Sequence, residues 1–282
     1  MGEGFVMRRM LRSELDLVVR WAAAEGWNPG VHDAEAFYAA DPEGFFVGVV
    51  DGEVVASISV VRYDPSYAFL GFYLVRPDQR GKGYGFRLWS HALEHTRATT
   101  IGLDGVVAQI PAYERAGFRT AYRSVRYVTN SSPGRVSPSV RPVEHGDVAR
   151  VLEFDRDVFG VDRAGFVRDW LSRTGVHAEL TERGGAVVGY GAIRPATTGV
   201  RIGPLFAESS QIADELLSAL LAMVPSGTQV AIDLPESNPH AAPLALVRHM
   251  TAEFETVRMY AGGPPPPART DRIFGVTSFE LG

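Results

Sequence analysis

LGFYLVRPDQRGKGYGFRLWSHALE, residues 70–94, changes its pattern twice, and the reading of the fold starts from those changes. An apolar run ends at Leu74-Val75 and is broken by Pro77. Glycines stand at 81, 83 and 85, and apolar residues then recur at helical spacing at Phe86, Trp89 and Leu93. The pattern predicts strand, glycine turn and helix. Glycine lets a backbone adopt positive φ and lets a ligand approach without meeting a Cβ. The amides of the helix's first turn, with the positive end of its dipole, suit a phosphate. The spacing is wrong for a Walker loop, because Lys82 is followed by Gly83 and preceded by too short a loop. The dinucleotide fingerprint G-x-G-x-x-G fits poorly too, since the third glycine comes one residue early, although Asp104 stands near the place of that fingerprint's acidic residue. The plain alternative is that the glycines only turn the chain.

Arg80-x-x-Gly83-x-Gly85, following the strand end Leu74-Val75-Arg76-Pro77, resembles the acetyl-coenzyme A motif, Gln/Arg-x-x-Gly-x-Gly/Ala, of the GNAT N-acetyltransferases. Ala112-Tyr113-Glu114-Arg115-Ala116-Gly117-Phe118 resembles that family's Tyr-Glu-x-x-Gly-Phe segment. The resemblance implies an α/β fold on a mixed sheet and acetyl-coenzyme A as cosubstrate, with no metal. It also implies roles. Backbone amides of Arg80, Gly81, Lys82, Gly83, Tyr84 and Gly85 hold the pyrophosphate, with Arg80 and Lys82 adding charge. The strand end at Leu74 and Val75 pairs with the pantetheine arm, and an amide near Val75 faces the oxyanion. Tyr113 protonates the departing thiolate. Gln109 stands four residues before Tyr113, where the family commonly carries an asparagine somewhat earlier.

Composition sets bounds around this core. The chain has 282 residues, 45% hydrophobic and 22% charged, enough for two medium domains. A net charge of -5 gives no general attraction to nucleic acid. Zero cysteines exclude disulfides, thiolate metal sites and a cysteine nucleophile. Of the seven histidines only His91 and His95 stand at HxxxH spacing, and with no cysteine in the chain to join them no metal is expected. The N-terminus has no secretory pattern and no apolar run suits a membrane helix, so the expectation is a cytoplasmic protein, monomeric or a homodimer.

Before the motif, Val6 to Met10 reads as a strand and Ser13 to Ala24 as a helix with Ser13 as N-cap. Trp27-Asn28-Pro29-Gly30 is a turn, and Asp33 caps a second helix. Asp51-Gly52 joins two β-rich runs, Phe45 to Val50 and Val54 to Val61, as a hairpin. In the resembled fold the connection between the first two helices borders the acceptor pocket, which makes Trp27 and Asn28 acceptor-site candidates. Phe118 to Val128 is expected to close this half as its last strand.

NSSPGRVSPS, residues 130–139, reads as a linker. The expected organisation is a first domain over 1–130, a linker over 131–139 and a second domain over 140–282. The second half repeats the order of the first. Its Gly184-Gly185 hairpin lies 133 positions after Asp51-Gly52, and the Tyr of VRMY, Tyr260, lies 133 after the Tyr of VRY, Tyr127. At that offset Ala213 faces Arg80, Leu216 faces Gly83, Ser218 faces Gly85 and Leu246 faces Tyr113. Both motifs are lost, so the second half is read as a degenerate, noncatalytic copy that walls the acceptor pocket. Asp233, with Glu236 and Asn238, is its candidate pocket rim. Gly262 to Pro267 is an extended spacer, after which Ile273 to Leu281 alternates like a strand returning to the sheet.

The function implied is acetyl transfer from acetyl-coenzyme A to a primary amine of a small molecule, by direct attack on the thioester. Tyr113, a phenol that stays protonated at neutral pH, is the general acid. Phe69 to Tyr73 carries no carboxylate, so the base is Asp104, with Asp33 or a water relay as alternatives, unless the amine binds neutral. The competing class is a protein that binds acyl-coenzyme A without turnover, as a sensor or assembly module.

Overall fold

The computed structural model describes residues 4–132 and 136–282. Residues 133–135 of the expected linker, and residues 1–3, lie outside the described residues. The first half runs β1 (Val6–Arg9), α1 (Arg12–Ala24), α2 (Asp33–Ala40), β2 (Phe45–Val50), β3 (Glu53–Arg62), β4 (Tyr67–Val75), α3 (Tyr84–Thr96), β5 (Thr100–Val106), α4 (Ile110–Arg115) and β6 (Arg119–Asn130). The second half repeats that order: β7 (Val140–Pro142), α5 (Val148–Phe159), α6 (Ala164–Ser172), β8 (His177–Arg183), β9 (Ala186–Pro195), β10 (Val200–Ala207), α7 (Ser210–Ala222), β11 (Gln229–Pro235), α8 (Ala241–Leu246) and β12 (Thr251–Gly262), with a short β13 (Ile273–Gly275) after it. Among the described residues no helix is long and apolar enough to cross a membrane.

Local physics explains most boundaries. Asp51 and Gly52 both have positive φ, +50° and +84°, as a two-residue hairpin with right-twisted strands requires. Leu15, Val18 and Ala22 form the buried stripe of α1. Its cap differs from expectation: α1 begins one residue earlier, and Ser13 lies inside it. The Glu14 carboxylate instead reaches back to accept from the Leu11 amide at 2.8 Å. β4 is buried along most of its length, which is why its sequence is a continuous apolar run rather than an alternation.

The two halves share one sheet, in the order β1-β2-β3-β4-β5-β12-β6-β11-β10-β9-β8-β7, with β13 pairing β10. This corrects the expectation that 118–128 closes the first half. β6 does not pair β5; it crosses to β11, and β12 of the second half takes its place between β5 and β6. Both strands are 12 residues long and offer similar ladders, so each half accepts the other's last strand. The side chains follow the exchange. Val257 and Met259 of β12 enter the core beneath α3, while Tyr127 of β6 packs on the core beneath α7. Two further cores mix both halves outright, one joining Leu15 and Phe37 to Trp170, the other joining Phe69 to Tyr190 and Phe206. Each such side chain contributes about 1.5–3 kcal/mol on burial, so neither half keeps its core without the other.

The fixed offset between the halves also breaks. Only Glu208 and Ser209 separate β10 from α7, where residues 76–83 separate β4 from α3. The glycine turn is therefore deleted in the second half rather than substituted, and α7 is closed by the Ser209 hydroxyl accepting from the Ile212 amide at 3.4 Å. The fourth residue of α8 is Leu244, where α4 has Tyr113.

Candidate active site

β4 and β5 pair in parallel only from Tyr67↔Thr100 to Leu70↔Leu103. Past that point Phe72 and Tyr73 stand opposite the single Ile58 of β3, and Phe72 has φ +46°. This bulge bends β4 away from β5, and the Ser57 hydroxyl donating to the Phe72 carbonyl at 2.8 Å holds it. A wedge opens between the two strands, and the motif residues gather around it.

On one side lies the glycine turn. Gly81 and Gly83 have φ +78° and +80°, and Gly83 is the cap from which α3 starts; a Cβ on either would meet nothing within 4 Å. The first intrahelical bond runs from the Arg87 amide to the Gly83 carbonyl at 3.1 Å, so the amides of the opening turn face outward. The side chains here are fixed to the protein. Arg80 donates from Nε to the Val75 carbonyl at 3.0 Å and pairs with Glu25, and Lys82 donates to Gln79 at 2.9 Å. Tyr84 is buried and stacks on Phe5 at 4.5 Å. Gly85 is packed against Tyr73 and Val75, where a Cβ would come within 2.7 Å of the Tyr73 hydroxyl. Leu74 is buried on the α1 side, with Val75 on the α3 side.

On the other side is Tyr113 of α4. Its ring stacks on Trp89 with centroids 5.8 Å apart and lies flat against Gly105, where a Cβ would stand 2.5 Å from the ring. Burial, with a smaller contribution from Tyr73, pushes the phenol up to about 12. Tyr73, Phe86, Trp89, Gln109, Ala112 and Tyr113 enclose a cleft of about 230 Å³. Phe86, one of the apolar residues at helical spacing, is 74% exposed and forms part of this rim.

Tyr73 and Tyr113 also border a narrower central cleft, whose other walls include Trp27, Phe72, Asp104, Phe254, Thr256 and Phe279. Phe254, Thr256 and Phe279 come from the second half, and sequence reasoning missed all three. The repeat matched β12 to β6, but only the strand exchange brings β12 beside β5.

Asp104 lines this cleft, though not as a free carboxylate. It lies inside β5, and both oxygens accept from Arg258 of β12, at 2.7 and 2.8 Å. The guanidinium in turn lies over Phe69 and Tyr122. Burial alone would lower the Arg258 pKa, but Asp104 overrides it and holds the guanidinium charged.

The remaining candidates separate. Trp27 borders the central cleft, and its carbonyl accepts from Arg126 at 2.6 Å. Asn28 turns away: its amide group exchanges two hydrogen bonds with the Thr198 backbone, 3.1 and 2.8 Å, tying the α1–α2 connection to the second half. Asp33 likewise pairs with Arg194 at 2.8 Å. Asp233 is buried rather than on a rim. It accepts twice from Arg126, at 2.7 and 3.0 Å, and pairs with Arg201. Burial opposes its charge, yet the two guanidiniums keep its pKa below the ordinary value. Asn238 is buried as a loop brace, donating to the Asp271 and Ile273 carbonyls.

The second half has a matching wedge between β10 and β11, which pair in parallel only over 200–202 and 230–232. Here the chain fills it with its own segment. β13 pairs with β10 at Leu205 and Phe206, and the Val276 amide donates to the Asp233 carbonyl of β11 at 2.9 Å. Ile273 to Gly275 thus returns to the sheet as expected, whereas 276–282 leaves it and reaches β4, where the Glu280 carbonyl packs against Gly71.

Residues 12–118 match the model of the acetyltransferase (GNAT) family, and residues 151–275 match that of an acetyltransferase (GNAT) domain. The chain is 39% identical over 272 residues to a holothin acyltransferase of a Pseudoalteromonas species, covering 95% of this chain and 92% of that protein. A putative acetyltransferase from Pyrococcus horikoshii has the same fold over 100% of this chain and 97% of its own, with TM-score 0.84 and 23% identity. A tandem GNAT protein from the clavulanic acid biosynthesis pathway superposes with TM-score 0.64 at 17% identity, over 92% of this chain and 99% of that one.

Proposed function

Because this chain belongs to the GNAT acetyltransferase family, as a tandem of two GNAT domains, we propose that its first half moves the acetyl group of acetyl-coenzyme A to a primary amine of a small molecule. The observation that carries the reading is the wedge itself: an open glycine turn on one flank of the parted strands and a buried tyrosine on the other. The fit is geometric. The outward amides of the turn suit a pyrophosphate, and the free edge of β4 beyond the bulge suits an extended amide-bearing arm. Arg80 fixes the strand end through the Val75 carbonyl, and an amide near Val75 is the donor for the oxyanion.

The amine's lone pair attacks the thioester carbonyl carbon; the C–N bond forms and the C–S bond breaks. Tyr113 gives its proton to the departing sulfur, and the proton lost from nitrogen restores the phenol. Burial keeps the phenol protonated at neutral pH, and the same dry surroundings favour the protonated sulfur. The holothin acyltransferase, similar along nearly its whole length, supports a small-molecule acceptor here.

The test is thiol release from acetyl-coenzyme A with a panel of primary amines, for the wild type and Tyr113→Phe. Amine-dependent release that falls by about 10²-fold or more in the variant, with coenzyme affinity unchanged, is the expected result. Coenzyme binding without release for any amine would overturn catalysis in favour of a sensor.

A further inference from the structure

Three hollows share walls across the wedge. The cleft of about 230 Å³ beside α3 and α4 is bordered by Tyr73 and Tyr113. Those two tyrosines also border the central cleft, which is far smaller, about 30 Å³. A further wall of the central cleft is Phe254, and Phe254 also lines a polar groove of about 430 Å³ between the halves, with Ala23 and Gly26 around the end of α1, Val128 of β6 and Ala231 of β11. Phe254 is thus the partition between the smallest of the three hollows and the largest.

Other walls of the central cleft have packed protein behind them. The parallel β4–β5 ladder closes its base at Leu70↔Leu103, both buried. The Glu280 carbonyl packs on Gly71, and Asp104 is held by Arg258 through both oxygens. The Phe279 ring is backed by Arg126 and Arg201, at 5.1 and 5.9 Å, each paired with Asp233. Phe254 is placed differently. Tyr127 and Arg126 of β6 face Ala252 and Phe254 of β12, so Glu253 is the extra residue of a bulge, and the ring that follows it stands half-buried between cleft and groove.

A single water needs about 10–15 Å³ of such space, so the central cleft has room for about two small groups, such as the methyl and the oxygen of an acetyl. A coenzyme arm entering past Tyr73 and Tyr113 points its acyl end at that space. We propose that the central cleft seats the acyl group and that Phe254, contributed by the second half, sets its length: the ring stops the chain at acetyl or propanoyl by closing the way into the groove. Each further methylene must displace the ring or pull the thioester back from Tyr113. The second half thus takes part in substrate choice through one side chain, although it has lost the motif residues. This rests on the acyltransferase reading above and adds the residue that selects its acyl group.

The experiment follows thiol release from acetyl-, butanoyl- and hexanoyl-coenzyme A, using whichever amine of the panel releases most with acetyl-coenzyme A. For the wild type, kcat/KM is expected to fall at least tenfold from acetyl to butanoyl and further for hexanoyl. Phe254→Ala should raise the hexanoyl-to-acetyl ratio at least tenfold, and Phe254→Leu, which keeps an apolar side chain in place, should shift it the same way by a smaller factor. Adding Ala231→Leu to Phe254→Ala refills the groove floor and should cancel most of the gain. A level wild-type profile, a ratio unchanged in both Phe254 variants, or a gain untouched by Ala231→Leu would overturn the inference and leave the acyltransferase reading standing. No release from any of the three coenzymes with any amine, with coenzyme bound, would overturn both.

Discussion

Replacing Asp104 by Asn tests whether this carboxylate is a structural partner or a base. The variant leaves Arg258, whose side chain is 5% exposed, without its counter-charge in the middle of the exchanged strands. Removing one partner of a buried ion pair costs about 3–5 kcal/mol. The rings of Phe69 and Tyr122, at 4.9 and 5.6 Å from the guanidinium, offset about 1 kcal/mol of that, so we expect about 3 kcal/mol. With a urea m-value of about 3 kcal/mol/M, the unfolding midpoint read by tryptophan fluorescence should fall by about 1 M. Adding Arg258→Met removes the orphaned charge and keeps the volume, so the double variant should recover to within about 1 kcal/mol of wild type. Acyl transfer should recover with it. A coupling energy below about 1 kcal/mol would refute the energetic argument. A stable double variant that has lost kcat would refute the structural role and return Asp104 to the chemistry.

Two further outcomes follow from buried features. Calorimetric titration with acetyl-coenzyme A should give one site per chain, because the second wedge is filled by 273–276 and its helix is capped by Ser209; a stoichiometry of two would refute that. Burial raises the Glu280 carboxyl above its unfolded value, against the pull of Arg201. Its contribution is then fully present below the unfolded pKa and is lost as pH rises through the folded one. Glu280→Gln should therefore gain stability relative to wild type as pH rises above the ordinary carboxylate range, read as urea midpoints from about pH 4 to 8; a pH-independent difference would contradict the shift.

The sequence by itself determined the strand–turn–helix around 70–94, the repeated order of elements in the two halves and the loss of the motif in the second. These are local matters: Gly83 at positive φ, Pro77 ending a strand and an alternating or 3.6-residue pattern act within a few residues and leave their mark on the sequence. It also placed Trp27 beside the cleft. Tertiary structure alone decided the rest. Whether β6 pairs β5 or β11 is nearly invisible in sequence, because two strands of equal length and similar ladder compete for each place and the choice is made by cores far along the chain. That choice puts Phe254 and Thr256 into the first half's cleft, sets Arg258 against Asp104 and so turns a candidate base into a paired charge, and sinks Asp233 beneath two arginines. A carboxylate reads the same in sequence whether it is free or held. Only the partner that the fold brings within 3 Å decides which chemistry it keeps.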